Sequence, residues 1–289
     1  MRILHLSDTH VEKTDAPNKY GVNATDSLRL MLAELRHLRA VDAIVVTGDI
    51  ADDGAVEAYT AVRDLVGEFA RPLAAPVFYT TGNHDERGAF GKVLGSGHAE
   101  PELVLDSEAG ERAAVSTVGG VRFVTLDSLV PGKVHGHLGA AQLDWLKRVL
   151  STPAERGTVL ALHHPPIALD ISATQPVFGL RDPGDLAEVI RGSDVRLVLA
   201  GHYHLQLFGF LAAVPVWVTP GVVSRVDLTT APGTERVVRG ASASLLELDG
   251  PDGPLFHTFH ARDPRAHETV YELDEGQVRA MVEREGASQ

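Results

Sequence analysis

A chain of 289 residues with an apolar fraction of 44% and a charged fraction of 22% can build a sizeable core, which excludes a disordered segment or an extended filament. The formal net charge of -13 opposes the broad attraction to phosphate backbones that nucleic-acid binders use, so no nucleic acid polymer is an expected partner. With Cys 0 there is no thiolate ligand or disulfide framework, and no stretch approaches the ~20 apolar residues of a membrane span; the expected setting is the cytoplasm, with no membrane partner.

Up to about residue 204, short β-branched runs alternate with helical periodicity, the pattern of a sheet covered by helices in an α/β fold. Strands are predicted at Ile3–Leu6, Ala43–Thr47, Val77–Thr80, Val121–Leu126, Val159–Leu162 and Val195–Ala200. Leu28, Met31, Leu32, Leu35 and Leu38 fall at helical spacing behind the capping candidates Asp26 and Ser27, and Tyr59, Val62, Val66 and Phe69 repeat the pattern. Further helices are predicted over about Ala140–Leu150 and near Asp185–Arg191. Residues 165–183, rich in proline and without periodicity, read as a long loop. After His204 the alternation in Val214–Val218 and Ser242–Leu248 predicts a second, largely antiparallel sheet sharing a core with the first. An amphipathic helix at about Glu275–Arg284 leads into a frayed polar tail. The division expected is one domain over 1–262, with a motif-bearing half at 1–204 and second-sheet strands at 205–262, followed by a C-terminal helix and tail at 263–289.

Residues able to bind metal recur just past the carboxyl ends of the predicted strands. Asp8 and His10 follow the first, Gly48-Asp49 the second, Gly82-Asn83-His84-Asp85 the third, His163-His164 the fifth and Gly201-His202-Tyr203-His204 the sixth. In an open α/β sheet the ligand crevice lies outside those ends, so segments distant in sequence converge on one cleft. In extended chain, residues two apart point to the same side, which lets Asp8 and His10, and His202 and His204, approach one ion together. Two carboxylates, four imidazoles and one amide oxygen exceed what one tetrahedral ion needs and suit two ions roughly 3.5–4 Å apart, with Asp49 as the natural bridge. A nitrogen and oxygen donor set suits iron, manganese, zinc or cobalt.

The order Asp-x-His, Gly-Asp, Gly-Asn-His-Asp, His and Gly-His-x-His over residues 1–204 resembles the calcineurin-like metallophosphoesterases. The resemblance implies a four-layer αββα sandwich of two mixed β-sheets flanked by helices. It implies that Asp8, His10, Asp49 and His204 hold one ion and Asp49, Asn83, His163 and His202 the other, with iron or manganese foremost and zinc or cobalt possible. The His-x-Pro arrangement selects His163 rather than His164 as the ligand. Within the family, the segment Gly48–Gly54, the double proline at 165–166 and the run Leu138–Leu146 look like the class III cyclic nucleotide phosphodiesterases of actinobacterial type.

The mechanism expected from such a pair is activation of one bound water for in-line attack on phosphorus, with neutralisation of charge on the phosphoryl oxygens. Asn83, His84 and His204 then contact the substrate, His84 acts as general acid or hydrogen-bond donor to the leaving oxygen, and Asp85 orients the His84 ring. The expected reaction is hydrolysis of 3′,5′-cyclic AMP or GMP to 5′-nucleoside monophosphates. Rival readings are a glycerophosphodiesterase or broad small-molecule phosphodiesterase, and more remotely a non-catalytic interaction module. The apolar stretch Leu205–Val218 is compatible with a homodimer.

Blander roles exist for each motif residue: Asp8 and Asp49 can cap helices, and Asn83 or Asp85 can cap a helix beginning near Glu86. Six of the 14 histidines lie in the motifs. His5 is expected in the core or behind the ligands, His135 and His137 receive no role, Tyr203 packs under the last loop or stacks on a base, and Asp52-Asp53 reads as a solvated turn.

Overall fold

The computed structural model describes residues 1–286. Two mixed sheets lie face to face. The first, in spatial order, comprises Leu255–His260, Ser242–Glu247, Arg2–Leu6, Ala43–Thr47 and Val77–Thr80, the last three parallel. The second runs Leu103–Val104, Ala114–Val118, Val121–Thr125, Thr158–Ala161, Val195–Ala200, Val214–Val218 and Leu207–Leu211, with the four from Val121 to Val218 parallel.

Period-two alternation assigns each strand's side chains to two cores. From the first sheet, Leu4, Leu6, Ile44 and Val46 meet the helices Ala24–Glu34, Val56–Ala70 and Arg87–Leu94, while Ile3, Ala43 and Val45 turn to the other sheet. Val124, Leu160 and Val198 of the second sheet pack under the helices Ala140–Leu150 and Pro183–Ile190, while Phe123, Val159 and Leu197 face the first. The result is four layers, helix, sheet, sheet, helix, and no helix among the described residues is long and apolar enough to cross a membrane.

The centre of the inter-sheet layer is aromatic: Phe78 stacks on Phe123 with ring centroids 4.8 Å apart. Removing the fully buried Phe123 ring leaves a cavity both sheets would have to collapse into, so Phe123→Ala should lower the free energy of unfolding by about 3–5 kcal/mol. Urea titration checks this, and a loss below ~1 kcal/mol would mean the layer repacks freely.

Residues 205–262 do not form a sheet of their own. Val214–Val218 joins the second sheet parallel to Val195–Ala200, and Ser242–Glu247 joins the first antiparallel to Arg2–Leu6. Both strands bury two faces, Val216 and Ala243 against helices and Trp217 and Leu246 between the sheets, so they belong inside sheets already begun. A third, small sheet pairs Ser224–Asp227, Glu235–Arg239 and Thr269–Leu273. The segment from 263 therefore carries a strand as well as the expected helix, which spans Glu275–Gly286; the end of the polar tail, 287–289, lies outside the described residues. The first helix is capped by Asn23, whose side chain accepts from Asp26 N–H, and not by Asp26 or Ser27.

Candidate metal centre

Five loops leave the carboxyl ends of parallel strands, three from the first sheet and two from the second, and meet at one end of the sandwich. Backbone hydrogen bonds lace them together. Asp8 N–H donates to Gly48 O (3.2 Å), His10 N–H to Asp49 O (2.9 Å) and Gly201 N–H to His163 O (3.0 Å). The two sheets are tied directly where His202 N–H donates to Asp8 Oδ2 (3.0 Å) and His163 Nδ1 to Thr47 O (2.7 Å).

The Asp-x-His and His-x-His pairs do not converge through extended chain. Asp8, His10, Asp49, His202 and His204 all lie in the left-handed region, with φ of 54°, 43°, 45°, 68° and 51°. Such conformations cost non-glycine residues about 1 kcal/mol or more each and persist where the surroundings over-determine them, typically at functional sites. The turn each makes aims its side chain inward. Gly82 and Gly201 are required by proximity: a Cβ at Gly82 would overlap the Asp49 carboxylate and one at Gly201 the Ser7 hydroxyl.

The donor atoms assemble into overlapping groups, Asp8/His10/His204 and Asp8/Asp49/His163, within each of which they lie inside 4.8 Å of one another. His204 Nε2 lies 3.3 Å from Asp8 Oδ1, and Asp49 Oδ2 stands between His10 Nε2 at 3.6 Å and His163 Nε2 at 3.2 Å. His202 Nδ1 is 3.2 Å from His163 Nε2. Asn83, next to Gly82, has a buried Oδ1 with no hydrogen-bond partner, as does Asp8 at Oδ1.

This arrangement fits a pair of cations. His10 is held at Nδ1 by the Asp52 carboxylate (2.9 Å), His163 at Nδ1 by Thr47 O and His204 at Nδ1 by Ser224 O (3.3 Å), all acceptors only, which fixes Nε2 of each neutral ring as a lone pair. Yet His10 Nε2 and His204 Nε2 are only 3.1 Å apart. Facing lone pairs repel, and a cation or a proton must lie between them. Burial works against charge on Asp8 and Asp49, but the imidazoles of His204 and His163 hold both carboxyls well below the usual carboxylate range. Burial likewise opposes charge on His163, and Asp49 overrides it, pushing that ring up to about 9, the proton standing where a cation would.

His84 sits beside this cluster with its side chain 41% exposed, its ring edge-on to His10 at 4.7 Å and its N–H donating to Asp49 Oδ1 (2.9 Å). Its Nδ1 lies 3.1 Å from Asp52 Oδ1 and 3.2 Å from Asp52 O. Burial lowers its basicity, but Asp49 and Asp52 together push it up to about 10. Cations beside Asp49 would offset part of that lift.

Asp85 does not orient this ring. It is buried beneath the loop and accepts from Gly82, Ala51 and Ile50 N–H at 2.7–3.2 Å, bracing the backbone that carries Asp49. Nor does Asn83 or Asp85 cap the following helix, because Glu86 accepts from Gly88 and Ala89 N–H there. Asp52, read from sequence as part of a solvated turn, is the orienting carboxylate for both His10 and His84. The acidic run hid this, since only the fold shows which acid turns inward. Asp52→Asn should lower metal affinity or kcat by about 10–100-fold, as loss of a partner behind a metal ligand usually does. Unchanged values in metal titration and steady-state kinetics would remove the role.

His164 is buried, its Nδ1 on Ser128 Oγ (2.8 Å), and its ring lies 4.8 Å from His163 and 4.6 Å from His202. Its nitrogen also falls within ligand reach of theirs. His5 is fully buried behind the site on Thr47 Oγ1 (2.8 Å). Tyr203 is buried, and its hydroxyl donates to Gln175 O (3.1 Å), fastening the 165–183 loop. His135 is buried, His137 exposed, and neither joins the donor groups found among the described residues.

Fold and site define a family with a dinuclear metal centre, and the chain belongs to it: the family model described as calcineurin-like phosphoesterase matches residues 1–206. It is 41% identical over 254 residues to the cAMP/cGMP dual specificity phosphodiesterase of Mycobacterium tuberculosis, covering 86% of this chain and 76% of that one. It is 38% identical over 249 residues to a probable cyclic nucleotide phosphodiesterase of Rhodococcus erythropolis, covering 84% and 78%. Among solved structures it is similar in fold to a dimetal phosphatase from Danio rerio, with a TM-score of 0.57 at 16% identity over 90% of this chain and 99% of that one.

Proposed function

We propose that the protein hydrolyses 3′,5′-cyclic nucleotides, cAMP and cGMP, to 5′-nucleoside monophosphates as a dinuclear metal-dependent phosphodiesterase. The observation that carries this reading is the convergence of Asp8, His10, Asp49, His163, His202 and His204, with facing imidazole nitrogens 3.1 Å apart, in a chain 41% identical to a phosphodiesterase of that specificity. Asp8, His10, Asp49 and His204 would hold one ion and Asp49, Asn83, His163 and His202 the other. Iron and manganese are the favoured occupants, with zinc or cobalt suited to the same donors. When bound, the ions supply an activated water and offset the charge that develops on phosphorus.

The chain's own residues do the rest. Asn83 and His204 contact the phosphate from the two ion sites. His84, with Nδ1 committed to Asp52, presents Nε2 to the cleft and gives its proton to the ribose 3′ oxygen as that oxygen leaves phosphorus. The intact donor set opposes the interaction-module reading, since a purely structural cluster has no need of imidazoles that repel one another.

Steady-state rates on cAMP, cGMP, glycerophosphocholine and bis(p-nitrophenyl) phosphate test the substrate class. Higher kcat/KM on the cyclic nucleotides is expected, and negligible turnover of them beside good turnover of glycerophosphocholine would transfer the protein to the glycerophosphodiesterases. The exposed Phe208 and Phe210 on the edge strand Leu207–Leu211 favour a homodimer, which a light-scattering mass near 30.9 kDa would remove.

A further inference from the structure

A cleft of about 80 Å³, open to solvent, lies between the 171–174 segment, residues 227–235 and Val278. None of the seven proposed metal ligands lines it, yet it abuts the metal-bearing loop. Leu228 lines the cleft and also packs against the apolar cluster of Tyr203 and Leu205, the two neighbours of His204. Directly after the 171–174 wall, the turn Gln175–Phe178 brings the Phe178 ring to 6.3 Å from that of His202, and Gln175 O accepts from the Tyr203 hydroxyl. Burial pushes the Glu235 carboxyl up, and the field of His204 reaches it and opposes that rise.

The lining suits a flat heterocycle with a polar edge. Ile171, Leu228 and Pro232 give apolar walls, and the polar groups include the Glu235 carboxylate, whose Oε2 accepts from Thr174 Oγ1 (3.0 Å). A carboxylate has about four acceptor sites, so one hydrogen bond leaves Oε1 free to accept from a ligand. Residues 227–235 and 278 also fall beyond the stretch 1–206 matched by the family model.

We propose that this cleft is the subsite for the purine base of the substrate, with Glu235 accepting the base's N–H donors and Leu228, Pro232 and Ile171 covering its faces. The inference rests on the cyclic nucleotide reading above. Guanine offers N1–H and the 2-amino group side by side, which a carboxylate accepts together, whereas adenine offers one amino group. Loss of Glu235 therefore weighs more heavily on cGMP than on cAMP.

The test compares wild type, Glu235→Ala and Ala173→Trp in the metal-loaded full chain, on cGMP, cAMP and bis(p-nitrophenyl) phosphate, which has no base. Ala173 is exposed in the cleft wall, so a tryptophan there fills the cleft without entering the core. In Glu235→Ala the ratio of kcat/KM on cGMP to that on bis(p-nitrophenyl) phosphate should fall by about tenfold or more, and less for cAMP. In Ala173→Trp the ratio should fall for both nucleotides. Wild-type ratios in both variants would overturn the subsite and leave the cyclic nucleotide reading standing. A wild-type enzyme that hydrolyses bis(p-nitrophenyl) phosphate but neither nucleotide would overturn that reading, and the subsite with it.

Discussion

Replacing His84 by alanine is expected to lower kcat on cAMP by about 10²–10⁴-fold, the range general acids supply, while two metal equivalents per chain stay bound. The ring also forms a donor group with His10 and Asp49, but the seven proposed donors make up both ion sites without it. In the proposed mechanism its value lies in the proton it would carry to a poor leaving group. The p-nitrophenolate ion departs without a proton, so the loss on bis(p-nitrophenyl) phosphate should be much smaller. Equal losses on both substrates would make His84 a stabiliser of phosphoryl charge rather than an acid, and an unchanged kcat on cAMP would remove it from the reaction.

Asp49→Ala should reduce bound metal from two equivalents to less than one and activity by more than about 10³-fold, beyond what loss of a single electrostatic donor costs. Asp49 Oδ2 stands between His10 and His163, and Oδ1 accepts from His84 backbone N–H, so in the proposed assignment one side chain would serve both ion sites and the position of the acid. Asp49→Asn separates these roles. The amide keeps the shape and can still accept from His84 N–H, but it lacks the charge that draws two cations together. Metal analysis paired with kinetics should place Asp49→Asn with the alanine variant, and two retained ions would mean the carboxylate is not a bridge.

Much of the site was legible because strands end in punctuated loops. Gly48-Asp49, Gly82-Asn83-His84 and Gly201-His202 each follow a buried β-branched run, and parallel strands deliver their carboxyl ends to one side. The left-handed turns at Asp8 and His204 are not legible, since aspartate and histidine enter that region more readily than most residues but only in a small fraction of cases, and here neighbouring loops impose it. The inward turn of Asp52 is likewise set by the fold, and the chain adjacency of Asp85 to His84 suggests a contact that the buried turn does not allow. In the fold, the destination of Val214–Val218 and Ser242–Glu247 depended on which existing sheet edges remained open, a property of topology rather than of alternation. Leu103–Val104 and Ala114–Val118 are short strands at the outer edge of the second sheet, too weakly patterned to separate from turns.

Anomalous diffraction from crystals of the protein loaded with manganese tests the dinuclear centre most directly. Two peaks roughly 3.5–4 Å apart are predicted, one among Asp8, His10 and His204, the other among Asn83, His163 and His202, with Asp49 between them. A single peak, or density centred on His164 with no ion at Asp49, would contradict the account.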